Sequence, residues 1–378
     1  MISQPGKWWR RSKGSGRPRH VREIDWSLLL PVLVLTGIGV AMIFSATQGN
    51  SGMAHLYLRQ AAWAVLGLLV MLAAATVNYQ VLLNRYAYPA YWLLVVLLAV
   101  LLAAGPEISG SRRWLSLGPF GIQPSEFAKV ATTLVLAKFL AAREDRLQSW
   151  ETFFGALALV GLPTLLILNE PDLGTAMVFV ALFFVLLYAA GVAWQRLALV
   201  VGAGLLASPL VWLVLKDYQR QRLMVFLNPS ADSLGAGYNV IQSKIAIGSG
   251  QWFGKGWLQG TQGQLRFVPE HHTDFIFSVL AEEWGFIGAV LVLAVFVVLL
   301  LQALRVARQA RDLAGSLVTI GLTGILAVQV TVNLGVALGV MPATGMTLPF
   351  LSYGGSSLMT PMLMVGIIMN LRATRIVK

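Results

Sequence analysis

The chain has 378 residues, of which 57% are hydrophobic and only 12% are charged. Soluble domains carry roughly 25% charged residues, so this composition excludes an ordinary soluble protein and indicates that lipid surrounds most of the chain. The 28 Lys and Arg residues exceed the 16 Asp and Glu residues to give a net charge of +12, and the lack of cysteine excludes disulfides and Cys-ligated metal centres.

Ten apolar runs follow one another along the chain, and each approaches the about 20 residues that a helix needs to cross a bilayer. Backbone groups in lipid must bond within their own segment, and these runs lack the alternation of barrel strands, so they are predicted to be helices. The sequence therefore predicts an all-α polytopic membrane protein with a single ten-helix transmembrane domain over residues 25–378. The predicted spans are 26–46, 60–77, 86–104, 127–142, 153–168, 174–194, 197–215, 275–301, 316–340 and 350–371.

Basic residues are concentrated at both termini and in alternate loops, and seven of them lie in the tail 1–24. Because cytoplasmic loops carry the excess of Lys and Arg, both termini are predicted to be cytoplasmic. The tail is rich in Gly, Ser, Pro and Arg, which predicts a disordered basic segment. We expect it to contact anionic lipid and not nucleic acid.

This orientation places two long loops on the outer face, at 105–126 and 216–273. Long loops in compact domains are usually functional. The second loop has a net positive charge on the side where positive charge is normally sparse, and an anionic outer ligand would explain that excess. Apolar residues between Val240 and Ile245 have helical spacing and predict a short amphipathic helix, lying on the outer leaflet, that stops at Gly248.

Charged residues at the ends of the predicted spans call for a functional or structural reason, because charge inside a membrane is costly. Pro124 begins the fourth span, and Glu126 and Lys129 share one helix face, which predicts a buried ion pair. That pair is either functional or a structural staple. The short connection before the sixth span carries two carboxylates, Glu170 and Asp172, which point to a polar cavity near the outer face, although Asp172 could equally cap the sixth helix.

The strongest signal lies where the second long loop enters the eighth span, at Asp274. A carboxylate next to a long apolar run is placed to act as a general base, and the alternative is that Thr273 or Asp274 caps the helix. The adjacent His271 and His272 are not expected to bind a metal ion, since neighbouring side chains rarely converge on one ion. Before the last span, the small residues 352–357 favour close helix packing, or a backbone that lines a cavity.

These residues describe a membrane protein with an outward polar cavity, which fits a transporter as well as an enzyme that acts on a lipid-linked anion. At these positions the chain resembles the shape, elongation, division and sporulation (SEDS) family of bacterial glycosyltransferases, over about 25–371. Residues 234–262 are similar to the elongation-type members, and the division-type members differ there. The motifs that carry the resemblance are Gly110-Ser111-Arg112-Arg113-Trp114-Leu115, Gln123-Pro124-Ser125-Glu126, Pro171-Asp172-Leu173-Gly174-Thr175, Pro269-Glu270 with His272-Thr273-Asp274-Phe275, and Ser352-Tyr353-Gly354-Gly355-Ser356-Ser357.

The resemblance implies a peptidoglycan glycosyltransferase of the bacterial inner membrane that polymerises lipid II into β-1,4 glycan strands during elongation. It also implies a class B penicillin-binding protein as crosslinking partner, further elongation-complex membrane proteins, and a divalent cation, Mg²⁺ or Mn²⁺. Asp274 would be the catalytic residue. Substrate binding would fall to Arg112, Arg113, Trp114, Glu126, Lys129, Asp172, Lys244 and His272.

The expected chemistry is one in-line attack that inverts the α-linked donor, with Asp274 taking the proton of the acceptor hydroxyl. Basic side chains, with or without a cation, would stabilise the departing diphosphate. Two other readings stay open: a flippase or transporter of a lipid-linked anion, and a scaffold that only recruits the crosslinking partner. A division-type activity within the same family is the nearest alternative.

Overall fold

A computed structural model describes residues 25–48, 53, 55–107, 112–117, 120–214, 217–228, 236–261 and 272–373. The predicted basic tail 1–24, together with Glu270 and His271, lies outside these residues. Every predicted span corresponds to a helix, with ends shifted by a few residues, and two further helices lie in the second long loop. The helices are α1 Trp26–Thr47, α2 Leu56–Thr76, α3 Tyr79–Ala104, α4 Pro124–Ala141, α5 Trp150–Asn169, α6 Leu173–Ala190, α7 Trp194–Val214, α8 Asp217–Leu227, α9 Ala236–Ser249, α10 Ile276–Arg308, α11 Leu313–Ala337 and α12 Gly355–Ala373.

The protein is a multi-pass membrane protein. Within the described residues, eight helices are long and apolar enough to cross a bilayer: α1, α2, α3, α5, α6, α10, α11 and α12. The other two predicted spans form α4 and α7, and α4 carries the charged residues Glu126, Lys129 and Lys138.

Side-chain caps fix where several helices begin, because the first amides of a helix have no partner inside it. Asp25 accepts from the amide of Ser27 at the start of α1, and Asp312 accepts from the amide of Gly315 at the start of α11. Pro124 occupies the first turn of α4, where a missing amide hydrogen costs nothing. The sequence prediction that Pro124 begins this helix is confirmed.

Helices α4, α6, α11 and α12 form the buried centre of the bundle, whereas α2 and α3 bury few of their residues. Small residues allow close approach in this centre. A Cβ atom on Gly321 of α11 would lie 2.6 Å from the Thr133 methyl of α4, and one on Gly366 of α12 would collide with the carbonyl of Met71 in α2. These close contacts pack α11 against α4 and α12 against α2.

The first long loop contains a short antiparallel hairpin that sequence reasoning did not predict. Strand β1, Leu115–Leu117, pairs with β2, Phe120–Ile122, with Leu115 opposite Ile122. The ring of Trp114 lies 3.3 Å from the Cβ position of Gly121 on the second strand. Because β2 ends immediately before α4, the hairpin holds Arg113 and Trp114 close to the first turn of that helix.

The predicted helix in the second long loop is confirmed as α9, which ends at Ser249. It packs against the bundle: the hydroxyl of Ser243 lies 2.6 Å from that of Ser278 in α10 and donates to the carbonyl of Ala337 in α11 at 2.7 Å. Its proposed location on the outer leaflet stays a prediction.

Residues 251–261, which we call the brace, are joined to a break in α10. The break lies at Gly285, whose φ of 67° is unfavourable for residues with a side chain. The amides of Phe286 and Ile287 donate to brace carbonyls at 2.8 and 3.1 Å, while brace amides donate to the carbonyls of Glu282 and Glu283 at 3.0 and 3.1 Å. The break separates the amides of Phe286 and Ile287 from the carbonyls of Glu282 and Glu283, which removes two helical hydrogen bonds. The four backbone hydrogen bonds with the brace satisfy these groups instead.

Candidate functional site

Helices α4, α6, α10 and α12 all begin at one end of the bundle, where side chains link their starts. The amide of Gln123, before α4, donates to the Ser356 hydroxyl of α12 at 3.0 Å, and the side chain of Gln123 donates to Asp172, before α6, at 3.0 Å. The Ser352 hydroxyl donates to the carbonyl of Thr273, before α10, at 2.6 Å. Helix N-termini carry partial positive charge, so four of them at one place favour an anionic ligand.

Asp172 caps α6 and also binds its neighbours. Its carboxylate accepts from the amide and hydroxyl of Thr175 at 3.0 and 2.9 Å and from the Gln123 amide group. The nearest guanidinium nitrogen of Arg113 lies 3.8 Å from the same carboxylate. The sequence left open whether Asp172 is a cap or a member of a polar site, and the structure shows the cap and the polar contacts together.

Glu170 precedes Asp172 by two residues and is only 1% exposed. Neither of its carboxylate oxygens has a hydrogen-bond partner. Burial, reinforced by the negative charge of Asp172 and opposed by Arg113, raises the pKa of Glu170 to about 8. Glu170 therefore retains a proton at neutral pH and can donate a hydrogen bond where an ordinary glutamate can only accept one.

Arg113 and Arg112 have different surroundings although they are adjacent. The Nε atom of Arg113 is buried without a hydrogen-bond partner, beside Asp172. Arg112 is more exposed and reaches only Glu107, at 4.0 Å. A buried guanidinium nitrogen without an acceptor is costly, so Arg113 is the better placed of the two to bind an incoming anion.

The predicted ion pair of α4 is confirmed. Lys129 Nζ donates to Glu126 Oε1 at 2.7 Å, and both side chains are buried. The second oxygen of Glu126 has no hydrogen-bond partner. Pairing satisfies most of the lysine charge, so this pair fixes the first turns of α4 and keeps one acceptor available.

Asp274 lies in the turn before α10 and is half-buried. The N-cap of α10 is Phe275, whose own side chain makes no capping hydrogen bond. Its Oδ2 atom lies 3.7 Å from the Cβ position of Gly345. The side-chain amide of Asn333 in α11 donates to the carbonyls of Asp274 and Met346 at 2.8 and 2.7 Å, which joins this turn to the 344–346 loop.

The 344–346 loop connects the two aspartates. The carbonyl of Thr344 lies 2.8 Å from the Cβ position of Gly174, two residues after Asp172, and the next residue, Gly345, faces Asp274. Consecutive Cα atoms are about 3.8 Å apart, so Asp172 and Asp274 flank the same short stretch of chain. We call Arg113, Glu170, Asp172 and Asp274 the polar site.

The remaining predicted residues lie at different distances from the polar site. His272 is close to the start of α12, since its carbonyl accepts from the amide of Tyr353 at 2.9 Å and the two rings are 5.8 Å apart. Lys244, on α9, has its side chain against Gly339 at the end of α11. Trp114 packs on the hairpin. None of the described contacts joins Lys244 or Trp114 directly to Asp274.

The sequence did not assign roles to Gln123, Asn333, Ser352 or Ser356. Gln123 and the two serines lay inside recognised motifs, and their polar side chains at helix starts were a usable signal. Glu170 was predicted, together with Asp172, to mark a polar cavity near the outer face, but its lack of a hydrogen-bond donor was not predicted. Asn333 lies within an apolar run, where a buried polar side chain needs a hydrogen-bond partner. Only the fold shows that its partners are the carbonyls of Asp274 and Met346.

Within the described residues, no three His, Asp or Glu side chains converge as metal ligands. Asp172 already uses both carboxylate oxygens on protein donors. The divalent cation that the resemblance implies stays a prediction.

Two relatives of known name match nearly the whole chain. The peptidoglycan glycosyltransferase MrdB of Escherichia coli K12 is 40% identical over 353 residues, covering 93% of this chain and 94% of MrdB. A probable peptidoglycan glycosyltransferase FtsW of Trichlorobacter lovleyi is 37% identical, covering 94% of this chain and 95% of that protein.

Two solved structures share the fold. A chain of a peptidoglycan synthase complex, described for its coordination of polymerization and crosslinking, superimposes with a TM-score of 0.80 at 38% identity and covers 93% of this chain and 98% of that one. The crystal structure of the Thermus thermophilus rod shape determining protein RodA gives 0.71 at 33% identity, covering 95% and 99%. The cell cycle protein family model of FtsW, RodA and SpoVE matches residues 25–376, and the chain therefore belongs to that family.

Proposed function

We propose that the protein is a peptidoglycan glycosyltransferase that polymerises lipid II into β-1,4 glycan strands during elongation, with Asp274 as general base. Relatives named for this activity support the enzyme class. The observation that carries the assignment of residues is the loop 344–346, which lies against both Asp274 and the first turn of α6, where Asp172 is beside Arg113.

The reaction moves the donor sugar from its diphosphate to the acceptor. The 4-hydroxyl oxygen of the acceptor attacks the anomeric carbon, the bond from that carbon to the diphosphate oxygen breaks, and Asp274 takes the hydroxyl proton. The diphosphate leaves with the bonding electrons. A single attack inverts the configuration at the anomeric carbon, as the change from an α-linked donor to a β linkage requires.

The polar site supports departure of the diphosphate. Arg113 has a buried nitrogen without a partner, and four helix N-termini face the same region, so negative charge that develops on the leaving group meets donors already in place. Glu170 in its protonated form adds a hydrogen-bond donor. The other proposed substrate contacts are Lys129, Lys244, Arg112, Trp114 and His272. Of these, Lys129 acts through its ion pair with Glu126.

The proposal includes ten spans, both termini in the cytoplasm and the polar site at the outer face of the bacterial inner membrane. The distribution of basic residues supports this orientation. The partners are a class B penicillin-binding protein and other elongation-complex membrane proteins, and the solved synthase complex of a homologous chain supports the first of these. A divalent cation stays a prediction that EDTA tests.

Lipid II turnover tests the proposal. The purified protein with its crosslinking partner should convert lipid II in detergent into a glycan ladder on a gel, whereas a flippase or scaffold would form no product. Replacing Asp274 with Ala should lower the rate by about 10²–10⁴-fold, the usual contribution of a general base. Asp145→Ala, on the exposed turn between α4 and α5, is the control. An Asp274→Ala protein that keeps the parent rate would refute the assignment.

Rescue of rod shape separates the elongation-type assignment from the division-type alternative. Expression in a rod-shaped bacterium depleted of its elongation polymerase should restore rods, and expression in one depleted of its division polymerase should leave filaments.

A further inference from the structure

A second candidate binding site lies on the lipid-facing side of the bundle, in a groove of about 1070 Å³ between α3, α4, α5, α6 and α7. Typical ligand pockets measure about 300–1,000 Å³, so the groove can hold a sizeable ligand. We call it the lateral groove. Its lining includes Tyr91, Phe139, Arg143, Phe154, Gly161 and Val180.

The lateral groove is distinct from the polar site. Asp172 follows the last turn of α5, whereas Arg143 precedes its first turn. A helix of 20 residues is about 30 Å long, so the basic end of the groove and the polar site lie near opposite membrane surfaces.

The walls of the groove are apolar and open to the bilayer. Three apolar side chains of membrane-crossing helices are exposed along it: Phe154 by 59%, Leu165 by 62% and Val180 by 48%. Exposed apolar side chains along a groove favour a hydrocarbon chain. Gly161 widens its floor, since a Cβ atom there would meet nothing within 4 Å.

One end of the groove is basic. Arg143 lines it with its guanidinium 3.9 Å from the centre of the Phe139 ring. Arg196 lies 5.0 Å over the ring of Trp150, which in turn stacks on Phe154 of the groove wall. Both arginines therefore border the same end.

These arginines lack anionic partners. Among the described residues, no carboxylate lies within 4.0 Å of either guanidinium. The Nη1 atom of Arg196 is buried without a hydrogen-bond partner. A buried donor without an acceptor costs free energy, and the guanidinium fork matches the oxygens of a phosphate.

We propose that the lateral groove binds one anionic phospholipid from the leaflet at this end, with its phosphate between Arg143 and Arg196 and an acyl chain along α5. Anionic lipids are held by basic pockets between membrane helices in this way. A zwitterionic phospholipid has the same chains and phosphate but no net charge, so the two arginines should favour the anionic one. This site does not depend on the proposed polymerase activity.

Native mass spectrometry of the purified full-length protein tests the site, with phosphatidylglycerol and phosphatidylcholine of identical acyl chains as probes. The parent should retain one phosphatidylglycerol in preference to phosphatidylcholine. Arg143→Ala and Arg196→Ala should each weaken that retention by about tenfold, as expected for loss of a charge-assisted hydrogen bond. Arg308→Ala, an exposed arginine at the end of α10, should leave it unchanged.

Filling the groove is an independent test that spares the charges. Gly161→Phe should abolish retention, whereas Gly202→Phe, at an equally open position of α7, should not. Thermal shifts provide a second readout, since phosphatidylglycerol should raise the melting temperature of the parent and not that of Gly161→Phe. Equal retention of the two lipids, retention by Gly161→Phe, or displacement of phosphatidylglycerol by undecaprenyl diphosphate would each overturn the proposal.

Discussion

The protein buries two acidic pairs, and their surroundings differ. Glu282 in α10 accepts from Lys255 Nζ at 2.7 Å and from the amide of Thr261 at 2.9 Å, and Glu283 accepts from the Ser45 hydroxyl. In the polar site, Asp172 is similarly bonded, but Glu170 has no donor at either oxygen.

The difference distinguishes carboxylates that stabilise the fold from a carboxyl group that is available to a ligand. The Glu282 carboxylate, which accepts from protein donors of the brace, joins the brace to α10 and therefore contributes to folding. A buried carboxyl group without a donor, next to an arginine nitrogen without an acceptor, contributes little to folding and is available to a ligand. Substitutions in the brace should therefore change stability first, and substitutions in the polar site should change turnover first.

Lys255→Ala should have the largest effect on stability. It leaves the fully buried Glu282 without its ammonium partner, and breaking a buried pair costs about 3–5 kcal/mol; partial exposure of Lys255 places the expected loss near the lower value. The free energy of unfolding in detergent measures it. Lys255→Arg, which keeps the charge, should recover part of the loss, and an unchanged stability of Lys255→Ala would contradict the structural role of the brace.

Arg113→Ala should lower the rate of lipid II polymerisation by about 10²-fold, because it removes a donor that faces the leaving diphosphate. Its melting temperature should change little. Arg112→Ala is the matched comparison and should lower the rate less, since that side chain is more exposed and its ion pair among the described residues is a long contact with Glu107. Equal losses for the two variants would show that burial beside Asp172 does not decide which arginine acts.

Glu170 should make stability depend on pH. Its pKa of about 8 lies above the usual 4.5, so the folded protein keeps a proton that the unfolded chain loses, and stability falls as pH rises from about 4.5 to 8. Glu170→Gln mimics the protonated form and should flatten this fall in melting temperature while keeping activity. Glu151→Gln, on the exposed first turn of α5, should leave the pH profile unchanged. A parent profile that is already flat would contradict the raised pKa.

The smallest expected effects on stability come from replacing two glycines that have positive φ. Gly345→Ala in the 344–346 loop meets only the Asp274 carboxylate at 3.7 Å, so the backbone strain of about 1 kcal/mol should dominate. Gly285→Ala in α10 would collide with the backbone of Gly254 in the brace and should cost clearly more. Melting temperatures rank the two, and a reversed order would be inconsistent with the brace as described.

Much of the fold could be predicted from the sequence. The long apolar runs predicted a helix at every span, because lipid hydrocarbon offers backbone groups no hydrogen-bond partner outside their own helix. Local chemistry predicted the start of α4 at Pro124, the Glu126–Lys129 pair and the helix α9. The hairpin of the first loop was missed, since two strands of three residues each are too short to give a periodic signal.

The sequence by itself determined that this is a helical membrane protein, and its ordered motifs identified the family and predicted Asp274 as the catalytic residue. Only the tertiary structure decided which polar residues meet. Asp172 and Asp274 are about a hundred positions apart, and their common neighbour, the 344–346 loop, comes from a third part of the chain. Likewise, only packing leaves Glu170 without a donor and pairs Glu282 with Lys255. Helix formation depends on neighbours in the chain, whereas burial and partnering depend on which helices pack together, and that information is not local.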